Sequence, residues 1–411
     1  MNQQDNDSLI IADKVREFYD RHPYPPPVTG LDDYRRRWQD EGRRRADYHL
    51  FWPTMPFREK MSILVAGCGT SQAAKYALRH PSAQIVGIDL SSTSIQETEK
   101  LKHQYDLTNL ELEQLPVERV GELDRQFDKI ICTGVLHHLP NPQAGLRALR
   151  QVLNPDGAMH LMVYATYGRA GIYMIQEYCR RLGIGTSDEE ITELAKALMT
   201  MPQGHPLARL LGEAPDFRRK AALADALLNP QDRSYTVPQL FDLIQGAGLV
   251  FGRWLRQAPY LPHCGDLAGS SHAARLAKLD IEQQYAAVEL FRGTMLRHSA
   301  ILYCDNSPNL AQPIQFDDDQ WLSYVPHRLR QTISVEEKLP PGAAGVLINQ
   351  SHTDTDIYLP VNQAEKRLVE AIDGQQSIAE IIHHTEKKQP DGWRTFFQKL
   401  WQYDQISIDA S

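Results

Sequence analysis

The chain has 411 residues, enough for more than one hydrophobic core, and 42% of them are apolar, as in a globular protein. Its 52 acidic residues outnumber 44 Lys and Arg; the formal charge of −8 argues against a general nucleic-acid-binding surface, and no run approaches the roughly 18 apolar residues of a membrane span. The N-terminal stretch MNQQDNDSLI lacks signal-peptide character and the five cysteines (Cys68, Cys132, Cys179, Cys264, Cys304) form no CxxC pair, so the expectation is a cytoplasmic protein with reduced thiols, no metal site and no membrane partner.

Residues 1–58 form an N-terminal segment. LIIADKVREFYDRH has helical periodicity, and PYPPP enforces an extended turn because each proline fixes its own φ and restrains its predecessor. LDDYRRRWQDEGRRRADYHLFW then reads as one helix. Acids interleave its arginine triplets, Arg35 to Arg37 and Arg43 to Arg45, which favours a solvated helix over a phosphate-binding face.

Residues 59–305 form the main domain. From 61 to 163 strands alternate with helices: SILVAG, a helix through Arg79, QIVGIDL, a helix from Ser91 to Tyr105, NLELEQL, FDKIICTG, a helix from Pro142 to Leu153, and AMHLMVY. This rhythm predicts an α/β fold with a doubly wound, Rossmann-like parallel sheet. Helical insertions follow at 165–233 and 260–297, and GLVFGRW and HSAILYCDN return to strand. The stretch 306–345, rich in Pro, Asp and Gly, reads as a linker. Residues 346–411 read as a small α+β domain of three short helices and a terminal strand.

The loop in ILVAGCGTSQAA, residues 63–74, presents backbone N–H groups between a strand and a helix. It is no phosphate loop, which requires GxxxxGK followed by Ser or Thr, and Gln72 stands where a dinucleotide fingerprint has Gly or Ala. Asp89 ends the next strand, 20 residues after Gly69, where a carboxylate accepts the ribose hydroxyls of an adenosine. The segment FDKIICTGVLHHLPNPQAGLRALRQVLNPDGAMHLMV, with its FD-x-I strand, VLHHL turn and L-x-P-x-G turn, resembles the class I S-adenosylmethionine-dependent methyltransferases. The resemblance is close over residues 61–163.

It implies a seven-stranded methyltransferase sheet, S-adenosyl-L-methionine as cofactor, and an enzyme that transfers a methyl group to an O or N nucleophile. Carried over by position, Gly67, Cys68, Gly69 and Thr70 would lie against the amino-acid part of the cofactor, Asp89 on the ribose, Leu90 beside the adenine, and Thr133 and Gly134 below the methionine end. Many relatives place an acid after the third strand. Pro116 stands there, so adenine recognition would fall to the backbone around Leu115 to Val117.

Methyl transfer from a sulfonium mostly requires that the acceptor be held in line, with a base where the nucleophile carries a proton. His137 is the candidate base or acceptor-orienting group, and His138 is read as architectural. Tyr19 and Tyr24, with PYPPP, resemble the lid that precedes the fold in some methyltransferases; packing of these tyrosines on the core is the other reading. Helical spacing puts Arg169, Tyr173, Gln176 and Arg180 near one face, after the fifth strand, where an acceptor pocket is expected.

The pattern DGxxSIAEI in 346–411 resembles small winged-helix modules, including peptide-binding ones. Three functions stay open: a methyltransferase acting on a small molecule, which is favoured; one acting on a protein or peptide recruited through 346–411; and a non-catalytic S-adenosylmethionine sensor. Residues 331–411 are acidic, which disfavours nucleic acid as partner.

Overall fold

The computed structural model describes residues 3–213, 219–307, 310, 313–385 and 392–411. Residues 214–218 of the expected insertion, 308–309 and 311–312 of the expected linker, and 386–391 of the C-terminal segment lie outside the described residues. The N-terminal segment folds as α1 (Gln3–Arg21), α2 (Asp32–Trp38) and α3 (Glu41–Phe51). The single helix expected after PYPPP is thus two, because Asp40 accepts the Arg43 N–H and starts a new helix there. The arginine triplets pair locally: Arg36 with Asp33, Arg45 with Glu41 and Arg44 with Glu59.

The main domain then runs β1 (Ser62–Ala66), α4 (Gln72–Arg79), β2 (Gln84–Asp89), α5 (Ser92–Tyr105), β3 (Leu110–Gln114), β4 (Phe127–Thr133), α6 (Pro142–Gln151) and β5 (Leu153–Tyr164). Four helices follow, α7 (Ala170–Leu182), α8 (Asp188–Leu198), α9 (Pro206–Glu213) and α10 (Lys220–Leu228). The sheet is completed by α11 (Val237–Gly246), β6 (Leu249–Trp254), α12 (Ala273–Leu276), α13 (Ile281–Arg292) and β7 (Arg297–Cys304). Strand order is β3-β2-β1-β4-β5-β7-β6. Strands β1 to β5 are parallel, as the alternation predicts, while β7 is antiparallel to both its neighbours.

Alternation along β1 builds two cores. Ile63 and Val65 face α3 to α5, and Leu64 and Ala66 face α6 and α11. Beneath the first face lies a buried charge group in which Asp47 of α3 pairs with Arg79 and with Lys129 of β4. Burial alone would raise the Asp47 carboxyl, but the two cations hold it at about 2. Burial lowers Lys129 to about 8, and its ammonium sits 3.6 Å from the Phe51 ring centroid.

The stretch read as a linker is partly regular structure. It contributes β8 (Val325–Arg328) and β9 (Thr332–Val335), which extend sheets built with β10 (Gly345–Asn349), β11 (Leu359–Val361) and β12 (Ile406–Asp409). Helices α14 (Gln363–Glu370), α15 (Ile378–Thr385) and α16 (Trp393–Gln402) complete a third core with Trp321, Phe397 and Ile406. These strands are only four residues long and carry polar residues such as His327 and Thr332 that are buried only by tertiary packing, so the sequence gives no strand period there.

This C-terminal unit is fastened to the main domain by a buried carboxylate. Asp404 accepts from Arg253 of β6 at 3.3 Å, from the Ala258 N–H at 3.0 Å and from His352 Nε2 at 3.0 Å. No helix among the described residues is long and apolar enough to cross a membrane. Asp404→Asn leaves the buried Arg253 guanidinium without its counter-ion, and we expect it to destabilise the fold by about 3 kcal/mol or more, measured by urea unfolding; a change within error would show that the contact does not bear on stability.

Candidate functional site

A cavity of about 780 Å³ lies along the carboxyl ends of β1 to β4. At one end it is walled by Gly67 to Gly69, Asp89 and Leu90, Leu115 to Glu118, and Thr133 to Val135. The strand order reverses between β1 and β4, the place where such sheets open a crevice. Gly67 has φ +69, and a Cβ on it would meet Val135 Cγ2 at 2.2 Å. The Gly67 and Cys68 N–H groups both donate to the Ile88 carbonyl, turning the chain out of β1.

Asp89 holds the loop in place. Its two carboxylate oxygens accept the Gly69 N–H at 2.8 Å and the Ser91 N–H at 2.9 Å. Burial raises its pKa to about 6, with Asp20 adding to the shift. Asp20 accepts the Ser91 hydroxyl at 2.7 Å and the Thr93 N–H at 3.2 Å, so α1 caps α5 beside the cavity.

Most of the predicted positions come together here, with exceptions. Gly67, Cys68, Gly69, Asp89, Leu90, Leu115, Pro116, Thr133 and Gly134 line the cavity. Thr70 does not; its hydroxyl donates to the Pro25 carbonyl at 2.8 Å and ties the loop to the N-terminal turn. Burial, then Asp89, pushes the Cys68 thiol well up, which leaves it inert. Gln72, out of place for a dinucleotide, donates to Thr133 Oγ1 at 2.8 Å across the crevice.

Glu118, two residues past Pro116, also lines the cavity, and burial raises its carboxyl. The sequence does not single it out, because the position where relatives place an acid lies closer to the strand. Lys75, likewise not singled out in the sequence, faces the cavity one helical turn beyond Gln72.

The opposite end is built from α1, the turn after β4 and the helices between β5 and β6. Tyr19 and Tyr24 line it, and the Tyr24 carbonyl and Pro25 cover Gly69. The Tyr19 hydroxyl donates to Asp225 at 2.8 Å and accepts from Asn229 at 3.0 Å. Arg169 lines the cavity with its guanidinium 3.5 Å from the Tyr164 ring centroid and 3.5 Å from Asp232. Tyr173 and Gln176 stand behind it: Tyr173 accepts from Arg169, and Gln176 donates to Asp232.

The two histidines exchange places relative to expectation. His137 is fully buried off the cavity lining, its ring 3.9 Å from that of Tyr164 and neither nitrogen hydrogen-bonded. Burial, with His138 and Arg169 adding, pushes its imidazole well below the usual range. A base must reach the proton it takes, so this position does not suit one. His138 lines the cavity, and its Nδ1 donates to the Gln231 carbonyl at 2.6 Å, which leaves Nε2 as an acceptor. Adjacent residues on a short 3₁₀ turn point in different directions, and sequence alone does not say which points inward.

The outer wall comes from far along the chain: Arg256, Pro259 and Tyr260, Met295 to Arg297, and Ser351 to Asp354 of the C-terminal unit. No sequence signal marks these residues, since contacts between distant segments, Asp404 with Arg253 and Asp354 and Asp356 with Arg292 among them, bring them together.

Comparison with known proteins places this geometry. Residues 64–159 match the family model described as "Methyltransferase domain". An uncharacterized protein of Synechococcus is 31% identical over 333 residues, 77% of each chain. A ubiquinone biosynthesis O-methyltransferase of Neisseria meningitidis is 28% identical over 119 residues, which span 26% of this chain and 50% of that enzyme. The structure of PKMT2 from Rickettsia typhi in complex with AdoHcy superposes with a TM-score of 0.64 at 20% identity, over 94% of this chain and 77% of that one, a likeness of fold.

Gly67→Ala combines left-handed strain of about 1–2 kcal/mol with overlap on Val135. We expect a lower unfolding midpoint in urea and a distorted crevice; an unchanged midpoint would refute the close approach.

Proposed function

Because the chain belongs to the class I S-adenosylmethionine-dependent methyltransferases, we propose that it methylates an O or N nucleophile of a small molecule, with the donor at the glycine-loop end of the cavity and the acceptor beside His138. The residues present fit the donor. Gly67 and Gly69 keep the loop free of side chains, and Asp89 retains lone pairs for two ribose hydroxyls beyond the two N–H groups it already accepts. Leu90, Leu115 and Pro116 offer an apolar slot for the adenine, and Glu118 an acceptor for its amino group. Thr133 and Gly134 face the methionine end, and Lys75 suits its carboxylate.

When bound, S-adenosylmethionine supplies a methyl group already activated on a sulfonium. The chain's own work is then to orient the acceptor, exclude water and remove a proton. The observation that carries the catalytic assignment is the 2.6 Å hydrogen bond from His138 Nδ1 to the Gln231 carbonyl, which fixes the tautomer and leaves Nε2 as the acceptor of a side chain that lines the cavity. Asp225, buried next to Tyr19, is placed to stabilise the imidazolium that forms. Arg169 and Tyr164 form the polar wall against which the acceptor is held.

A small acceptor is favoured because Ser351 to Asp354 wall the cavity, and about 780 Å³ for donor and acceptor together is within the range of small-molecule sites. Cell extract given radiolabelled methyl donor and separated by size tests this. Label in small molecules is the expected outcome, label in macromolecules favours a peptide substrate, and none favours a sensor.

His138→Gln should lower kcat by about 10²–10⁴-fold with donor affinity unchanged; full activity would remove the base assignment. Asp89 gives a pH signature. Its pKa of about 6 in the free protein lies above the ordinary 3.8, and ribose hydroxyls donate to the ionised form. Donor affinity should therefore be constant above about pH 6 and fall as pH drops below it, by up to about tenfold per unit. The same protonation favours the free fold as pH falls from about 6 towards 3.8, so weaker binding there is not unfolding. Calorimetry that finds affinity flat from pH 7.5 to 5, or unaltered by Asp89→Ala, would overturn the ribose contact.

A further inference from the structure

Outside the cavity lining, α3 meets the strand pair β8–β12, and His49, His327 and Asp409 converge there. Their ligating atoms all lie within 4.8 Å of one another, and both imidazoles are buried, His49 at 1% and His327 at 3% exposure. His49 Nδ1 lies 3.2 Å from the Trp52 carbonyl, an acceptor only, so Nδ1 carries the proton and Nε2 presents a lone pair. That lone pair faces Asp409 Oδ2 at 3.2 Å, another acceptor. Nε2 of His327 is also buried without a hydrogen-bond partner. The His49 lone pair and the Asp409 carboxylate repel unless a proton donor or a cation lies between them.

Among the described residues no Lys or Arg side chain pairs with Asp409. Arg45, the nearest base on α3, is held by Glu41 at 2.8 Å, and the other oxygen of Asp409 accepts the Ser411 N–H at 3.0 Å. The second His/Asp group, His137, His138 and Asp232, differs on this point, because the guanidinium of Arg169 lies 3.5 Å from its carboxylate.

We propose that His49, His327 and Asp409 form a structural site for a divalent transition metal of the zinc type, which clips the C-terminal strand to α3. Ligands about 2.0–2.1 Å from a tetrahedral zinc are separated by about 3.3 Å, and the His49–Asp409 distance is 3.2 Å. A water completes the coordination on the side where Asp409 is partly exposed. The His49 Nδ1 bond to Trp52 is the kind of outer contact that orients a ligating imidazole. The site lacks the short sequence spacing of familiar zinc motifs, since its ligands are 278 and 82 residues apart (327 − 49 and 409 − 327).

The test uses the full-length protein stripped with EDTA and titrated with Zn²⁺ by calorimetry and with Co²⁺ by visible absorption. One equivalent should bind, the Co²⁺ complex should show the intense bands of a four-coordinate site, and the melting temperature should rise. Asp409→Asn and His327→Gln, each checked for folding by circular dichroism, should lose the bands. Absence of stoichiometric Zn²⁺ and Co²⁺ binding by the parent protein would overturn the proposal. So would binding that survives in both variants, because it would then belong to exposed histidines such as His383 and His384.

Discussion

The site depends on one close approach. Where strand order reverses between β1 and β4, the backbone at Gly67 passes so near Val135 that a single added carbon would overlap it. That contact sets how the loop leaves the sheet, and Asp89 then fixes its far side through the Gly69 N–H. The loop, the second-strand carboxylate and the turn after β4 are therefore one rigid unit. Polar groups on such a unit cost little reorganisation when a ligand arrives.

Around this unit the chain is held by groups that are distant in sequence. Asp20 of α1 caps α5, Asp47 of α3 pairs with both Arg79 and Lys129 beneath the sheet, and Asp404 binds the C-terminal unit to β6 and the loop beyond it. Asp404 is buried and Asp47 nearly so, and each meets a cation from another element, an arrangement in which loss of one partner costs far more than the pair contributes. Residues 346–411 thus act as part of the main body. Through Ser351 to Asp354 they form a wall of the cavity.

The acceptor end shows how direction decides role. Two neighbouring histidines share one turn, yet one ring is packed without hydrogen bonds on Tyr164 and the other borders the cavity with its tautomer set by a carbonyl. Arg169, Tyr173 and Gln176 share a face as helical spacing requires, but only Arg169 reaches the cavity, while the other two support it and Asp232.

The sequence by itself determined the sheet, the glycine loop, Asp89 at the second strand's end and the turn after the fourth strand. These are local signals: strand and helix periods, a glycine where φ must be positive, a carboxylate at fixed distance along the chain. Only the tertiary structure decided that His138 and not His137 borders the cavity, that Thr70 faces the N-terminal turn, that Glu118 lines the cavity beyond Pro116, and that the supposed linker carries strands. It alone joined Asp225, Arg256 and His352 to the site and set His49 beside Asp409. Those outcomes rest on side-chain direction and on contacts across tens to hundreds of residues, which no local period encodes.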